Sequence, residues 1–365
     1  MKHTLFLTGY PGFLTGSLIH QLSQDHYNKI EHIYLLVLPE QEQKAKSDLT
    51  CFIKQNKLQT HYFSILTGDI TKEDLGIEKT ALRKLKDTVT HVFHLAAIYD
   101  LAVPQEIAFQ VNVHGTKMVN EWVKELKQLQ RYIYFSTAYV SGTREGIIYE
   151  TELRGGQSFK NHYEATKYEA ELLVEGLKET IPTTIIRPGI VKGHSKTGIT
   201  SKFDGMYFML NLLDKLAFSP FLPYLGAGRV EGNFVPSDYV IKATSYLSFA
   251  AHSIGKTYHL TDPSPYHMRD LYKMLAEAYL MRTPKGEVPL DLVSFIMQSH
   301  TTEKLLKVER EALAYFTLNV SYDCTQATRD LEGSGVYCPD MKDTIEPMIT
   351  FYRKYKHDEN KHIAI

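Results

Sequence analysis

"LTGYPGFLTG", Leu7–Gly16, stands a few residues from the amino terminus, and its glycines decide how the first half of the chain reads. Gly9 and Gly12 are spaced as GxxG, but Thr15 occupies the place of a third glycine and Gly16 comes one residue late. The apolar run HTLFLT (His3–Thr8) precedes the loop and the helix-period segment LTGSLIHQLSQ (Leu14–Gln24) follows it, the context a phosphate-cradling turn needs. Gly9 permits the tight turn. Gly12 lets the backbone approach a pyrophosphate at the helix amino terminus, where unpaired N–H groups and the dipole favour anions. Taken alone, two glycines fit a plain strand-to-helix turn equally well.

Working outward, the same beat repeats. Apolar, β-rich runs recur at HIYLLVL (His32–Leu38), YFSILTGD (Tyr62–Asp69), THVFHLAA (Thr90–Ala97), RYIYFSTAYV (Arg131–Val140) and TTIIRPG (Thr183–Gly189). Helix-period segments lie between them, among them EQKAKSDLTCFIKQ (Glu42–Gln55), VNVHGTKMVNEWVKEL (Val111–Leu126) and YEATKYEAELLVEGL (Tyr163–Leu177). Near-continuous apolar strands alternating with amphipathic helices predict an α/β fold, a doubly wound parallel Rossmann-type sheet covered on both faces. Its ligands belong beyond the carboxyl ends of the strands. After Gly189 the beat breaks, and NFVPSDYV (Asn233–Val240) to TYHLTD (Thr257–Asp262) reads as a return to the sheet. The expected division is a dinucleotide-binding domain over 1–189 plus about 232–261. A smaller, discontinuous substrate-binding lobe takes about 190–231 plus 262–365. The polar ending YRKYKHDENKHIAI is expected to fray.

The 365 residues carry a formal net charge of −1, which argues against a nucleic-acid binder working through bulk positive charge. Three cysteines, Cys51, Cys324 and Cys338, form no CxxC pair, and a reduced, cytoplasmic setting fits them. The apolar start is too short for a signal peptide. The stretch MYFMLNLLDKLAFSPFLPYLG (Met206–Gly226) is interrupted by Asp214, Lys215, Pro220 and Pro223, so it reads as a buried helix and pocket wall. A membrane-surface contact is its alternative. The 16 histidines show no HExxH or paired metal spacing, so no metal is expected. Nothing in the sequence encodes an oligomeric state.

The chemistry gathers at the predicted ligand edge. Asp69, just past the third strand and followed by Ile70, is placed to accept a hydrogen bond from an adenine amino group, or equally is a surface turn residue. Ala96 and Ala97, after Leu95 at the end of the fourth strand, are small enough for a ribose to lie against the backbone, though ordinary strand packing explains them as well. YxxxK occurs twice in a chain with 24 tyrosines, as Tyr163/Lys167 and Tyr352/Lys356, so the pattern alone has no value. Position separates them. Tyr163 and Lys167 lie i, i+4 on the helix after the fifth strand, whose carboxyl end carries STAYVSG (Ser136–Gly142). Thr137, with Ser136 in reserve, can meet that helix face, whereas the tail pair has no such surroundings. Tyr163 then moves a proton at a carbonyl or carbinol oxygen, Thr137 holds that oxygen, and the Lys167 ammonium is expected to lower the phenol's pKa from about 10. Lys167 also suits a nicotinamide ribose. Asn112, in VNVHGT, either fixes this region through a backbone or water contact or serves a bend in its helix.

In order along the chain, TGYPGF, GDI, HLAA, NVHGT, STAYVSG, YEATK and RPGIV resemble the extended short-chain dehydrogenase/reductase superfamily over roughly residues 3–260. Finer features are similar to its male-sterility and thioester-reductase branch: GFL, STAYV, RPGIVKGHSKTG followed by an apolar helix, and NFVPSDYV. The resemblance implies a Rossmann fold and reduction of acyl thioesters to aldehydes or alcohols with NADPH. It implies Thr137, Tyr163, Lys167 and Asn112 as the catalytic set. The implied cofactor contacts are Gly9, Tyr10, Pro11, Gly12, Phe13, Leu14, Leu38, Asp69, Ile70, Leu95, Ala96, Ala97, Tyr163, Lys167, Pro188, Gly189 and Ile190.

Departures from the family pattern leave NADP(H) against NAD(H) open. Leu38 stands where NADPH-using relatives often carry arginine and Asp48 where a second is common; Lys44 and Lys46 are the available substitutes, and Glu40 lies two residues past the strand tip. The loop VKGHSKTGITSK, with Lys192, Lys196 and Lys202, offers charge to an anionic small-molecule substrate such as a coenzyme A ester, or is simply solvated. Two rivals remain: an epimerase or dehydratase of a nucleotide sugar or similar alcohol, and a cofactor-bound sensor or scaffold without turnover.

Overall fold

A computed structural model describes residues 2–99, 103–296 and 317–362. Seven strands form one parallel sheet: β1 (His3–Thr8), β2 (Ile30–Val37), β3 (Phe63–Thr67), β4 (His91–His94), β5 (Arg131–Phe135), β6 (Thr183–Pro188) and β7 (Thr257–Leu260). Their order is 3-2-1-4-5-6-7, so the chain reverses its direction of winding between β1 and β4. β1 pairs on both sides, Leu5 opposite Ile33 and opposite His91. The predicted doubly wound sheet is thus the observed one, including the return to the sheet at Thr257.

Alternation along β1 shows why these sequences make a covered sheet. Leu5 and Leu7 enter one core with Leu18 and Leu22 of α1 (Phe13–Asp25). Phe6 points the other way, into a core with Trp122 of the later helix Gly115–Lys124. Each such side chain, fully buried, stabilises the fold by roughly 1.5–3 kcal/mol. Further crossovers are α2 (Glu42–Gln55), α3 (Lys79–Thr88), α4 (the helix Gly115–Lys124), and α5 (His162–Glu175). A π-helical turn, Phe109–His114, leads into α4.

A third apolar cluster lies outside the sheet. It joins α6 (Tyr207–Lys215), α7 (Ser237–Phe249) being back on the sheet, to α8 (Met268–Leu280) and the C-terminal helix through Tyr207, Leu210, Leu271, Leu275, Ile349 and Tyr352. The stretch from Met206 therefore holds a short buried helix, and no helix among the described residues is long and apolar enough to cross a membrane. The short helix α9 (Thr325–Leu331) departs from the expected lobe: its Ala327 and Leu331 join the sheet's core beside α7.

The ending does not fray up to His362. It forms α10 (Met341–Tyr355), then folds back so that Phe203 N–H donates to the Lys361 carbonyl at 2.6 Å and Lys361 Nζ to the Thr200 carbonyl at 2.8 Å. Its apolar residues Met341, Ile345, Met348, Ile349 and Tyr352 repeat at helical spacing, and their burial outweighs the polar face between them.

Candidate active site

The opening loop is built for close approach. Gly9 has φ +87°, and a Cβ there would lie 2.8 Å from the Ala96 nitrogen. A Cβ on Gly12 would lie 2.5 Å from the Gly9 carbonyl oxygen, which instead accepts the Gly12 N–H at 2.8 Å. Gly12 caps α1 without any side-chain bond and no acidic residue enters the first turn, so that helix end keeps its affinity for anions. Phe13 and Leu14 begin the helix and Pro11 precedes it. Thr15 is 2 % exposed and sits at the packing position, whereas nothing lies within 4 Å of a Cβ on Gly16. The Tyr10 side chain turns away into the core over α2, its hydroxyl toward the Ala45 carbonyl at 3.5 Å. Only its backbone is left to face a ligand.

Along the strand tips, Asp69 is partly exposed, and its Oδ1 accepts both the N–H and the hydroxyl of Thr71 at 2.9 and 2.8 Å. This local turn fixes the carboxylate, and Ile70 is buried beside it. Leu38 is 36 % exposed at the end of β2. Lys46 is paired with Glu42 at 2.5 Å, while Lys44 is exposed. Pro188 closes β6; Gly189 abuts Asn233, and Ile190 N–H donates to the Asn233 carbonyl at 3.0 Å. Of the loop lysines, Lys196 and Lys202 face outward, but Lys192 is buried and donates to Thr344 Oγ1 at 2.6 Å.

The structure brings Thr137 and Tyr163 together. Thr137 caps the turn Ala138–Ser141, and its side chain lies near enough to the Tyr163 phenol to favour the phenolate. Tyr99 packs edge-on against the Tyr163 ring at 4.9 Å. Burial holds the phenol well above its ordinary range, and the Glu164 carboxylate adds to that, with Thr137 opposing the shift. Glu164 is itself buried and paired with Lys160 at 3.2 Å. Ser136 is not available in reserve, because its hydroxyl donates to Glu171. Glu171 is held by Arg187 through Nε at 2.8 Å and Nη2 at 2.6 Å, in a fully buried pair.

Lys167 differs from its expected geometry. Its Nζ donates to the Tyr134 hydroxyl at 2.9 Å and the Phe135 carbonyl at 2.6 Å, and lies 4.4 Å from the Tyr134 ring centre. Burial lowers its pKa to about 7, with Glu171 one turn away opposing the shift. The phenol beside it carries its proton at neutral pH.

Asn112 is buried on the π-helical turn. Its Oδ1 accepts the Ile98 N–H at 2.9 Å, and its Nδ2 donates to the Ile98 carbonyl at 3.2 Å and Thr166 Oγ1 at 3.1 Å. It clasps the end of β4 to α5. Thr8, His94, Thr116 and Tyr134, which link these parts, escaped the sequence reading, although Thr8, His94 and Thr116 stand inside the quoted motifs.

The profile of the NAD-binding male sterility protein family matches residues 7–244. The chain belongs to that family. Among its relatives, the Drosophila melanogaster fatty acyl-CoA reductase wat is 25% identical over 74% of this family member and 58% of its own length. The non-canonical nonribosomal peptide synthetase cpsA of Aspergillus campestris is 26% identical over 79% of this chain and 28% of its own. The chain thus spans less than two thirds of both. Among solved structures, the terminal R domain from the myxalamid PKS-NRPS biosynthetic pathway superposes with a TM-score of 0.81 at 24% identity, over 98% of this chain and 92% of that one. The UDP-glucuronic acid 4-epimerase from Bacillus cereus, solved with NAD, gives 0.66 at 19% identity, covering 97% and 98%. These likenesses show the shared Rossmann-type fold.

Proposed function

We propose that this chain is an NAD(P)H-dependent reductase of a carbonyl or acyl thioester. The observation that carries this reading is the approach of the Thr137 side chain to the Tyr163 phenol at the ligand edge of the sheet, with Lys167 one turn along the helix that carries Tyr163. The cradle fits a dinucleotide, since Gly9 and Gly12 leave room a Cβ would fill and the end of α1 is uncapped. When bound, the dinucleotide supplies the hydride. Thr137 holds the substrate oxygen, and Tyr163 donates its proton to that oxygen as the carbon gains the hydride. The raised pKa keeps the phenol protonated at neutral pH, the state in which it has a proton to give. With a thioester, loss of the thiol then leaves an aldehyde. The name of the fatty acyl-CoA reductase relative supports an acyl substrate. Cysteine usage supports a reduced, cytoplasmic setting.

The test is consumption of reduced nicotinamide absorbance with a panel of acyl-CoA thioesters and aldehydes, run with NADH and with NADPH. An epimerase or dehydratase, which the fold likeness also supports, predicts turnover of a nucleotide sugar with no net change in that absorbance. Dinucleotide binding with no turnover in either panel leaves the sensor reading.

A further inference from the structure

Between the loop on β1 and the helix carrying Tyr163 runs a buried chain of hydrogen bonds with His94 at its centre. At one end, Thr8 Oγ1 accepts the N–H groups of Leu95 at 3.2 Å and Ala96 at 3.0 Å. With both lone pairs in use, its proton goes to His94 Nδ1 at 2.8 Å. That fixes the tautomer: Nδ1 accepts, so the neutral ring carries its proton on Nε2, which donates to Thr116 Oγ1 at 3.1 Å. Thr116 passes its own proton to the Asn112 carbonyl at 2.6 Å. The Tyr134 ring packs beside His94, with ring centres 5.6 Å apart, and its phenol oxygen receives Lys167 Nζ at 2.9 Å. From Thr8 to the Asn112 carbonyl each donor has one acceptor, and none of these bonds can reverse without breaking a neighbour.

Both ends matter to a bound dinucleotide. The Ala96 nitrogen held by Thr8 is the atom against which Gly9 closes, at 2.8 Å from where a Cβ would stand. Lys167 stands on the Tyr163 face, and its ammonium is aimed by Tyr134 and the Phe135 carbonyl. Thr116 also grips the π-helical turn through Asn112, whose amide holds Ile98 and Thr166.

We infer that His94 is a positioning residue: as a neutral imidazole bonded to Thr8 and Thr116 and packed against Tyr134, it couples the seat of the phosphate loop to the placement of Lys167. Burial is what keeps it neutral, holding its pKa at about 3, with Lys167 adding to the effect. The inference rests on the proposed dinucleotide site and not on turnover.

The experiment measures the dissociation constant for NADH and NADPH by fluorescence titration from pH 6 to 9, with thermal melting alongside. His94→Leu removes both bonds and is expected to weaken the preferred dinucleotide roughly tenfold or more. It should also move the pH dependence of that binding, since Lys167 loses its alignment. His94→Gln, which keeps one acceptor and one donor, is expected to return to within about threefold of the parent. Thr116→Val cuts the chain at the next link with His94 in place and should copy His94→Leu; it decides the matter if that variant does not fold. Tyr132→Phe is the structural control, losing a buried bond to Asn120 at 2.8 Å while keeping affinity and pH dependence. Parent-like binding in the variant that cuts the chain, or equal weakening in Tyr132→Phe, overturns the inference. Failure of the parent to turn over substrate would sink the reductase reading and leave this one standing on its titrations.

Discussion

Replacing Gly9 and Gly16 by alanine, one at a time, separates the glycine that makes the loop from the one that only decorates it. At Gly9 an alanine must adopt φ near +87°, a strain of roughly 1–3 kcal/mol. Its Cβ would also meet the Ala96 nitrogen at 2.8 Å, an atom tied to Thr8 and unable to retreat freely. Strain of this size at the mouth of the cradle corresponds to roughly ten- to hundredfold weaker dinucleotide binding. Gly16 lies inside α1 with open space around its Cβ position. Alanine there should stabilise the chain by roughly 0.5–1 kcal/mol with unchanged binding. The assay is fluorescence titration with NADH and NADPH, together with urea denaturation. Parent-like binding by Gly9→Ala, or lost binding by Gly16→Ala, would refute the assignment of the loop.

Other consequences are as direct. Glu171→Gln leaves Arg187 buried without its anion and should destabilise the fold by about 3–5 kcal/mol in urea; a loss below about 1 kcal/mol would show that the pair is not what holds α5 to β6. The low pKa of His94 has a definite sign in stability. Below about 6.5 the unfolded chain binds a proton that the folded chain refuses, so this residue makes stability fall with pH by about 1.4 kcal/mol per unit toward its folded value of about 3. Between pH 6 and 5, His94→Gln should therefore show a shallower decline than the parent by about that slope, and equal slopes would contradict it. Tyr352→Phe, in the second YxxxK pair, loses a bond to Asn211 at 2.9 Å. It should cost roughly 1 kcal/mol in stability with dinucleotide binding and turnover intact; lost turnover would mean the pair had been misjudged.

The sheet was legible because its strands are buried on both faces and spell apolar runs separated by amphipathic helices. Position on that sheet, not the YxxxK pattern, singled out Tyr163 and Lys167; Tyr352 of the tail pair packs in the third apolar cluster and bonds Asn211. What could not be read depends on contacts distant in sequence. Lys167 meets Tyr134 and Phe135 more than thirty residues away, so its lowered pKa and its aim were hidden, and it supports the site differently from a cation placed to acidify the phenol. Ser136 looked interchangeable with Thr137 until Glu171 was seen to claim it. The ending looked polar because, of the buried residues of α10, only Tyr352 falls within it, and the place of α9 on the sheet could not be read because its two buried residues are too few to betray a partner.

The central claim is that Tyr163 delivers the proton in a hydride transfer. The most direct measurement is the turnover number of Tyr163→Phe against the parent, with the thioester or aldehyde that the parent reduces and the nicotinamide it prefers. The account predicts a fall of roughly a hundredfold or more, with dinucleotide affinity within about threefold of the parent because no phosphate or adenine contact is touched. Turnover equal to that of the parent would contradict it.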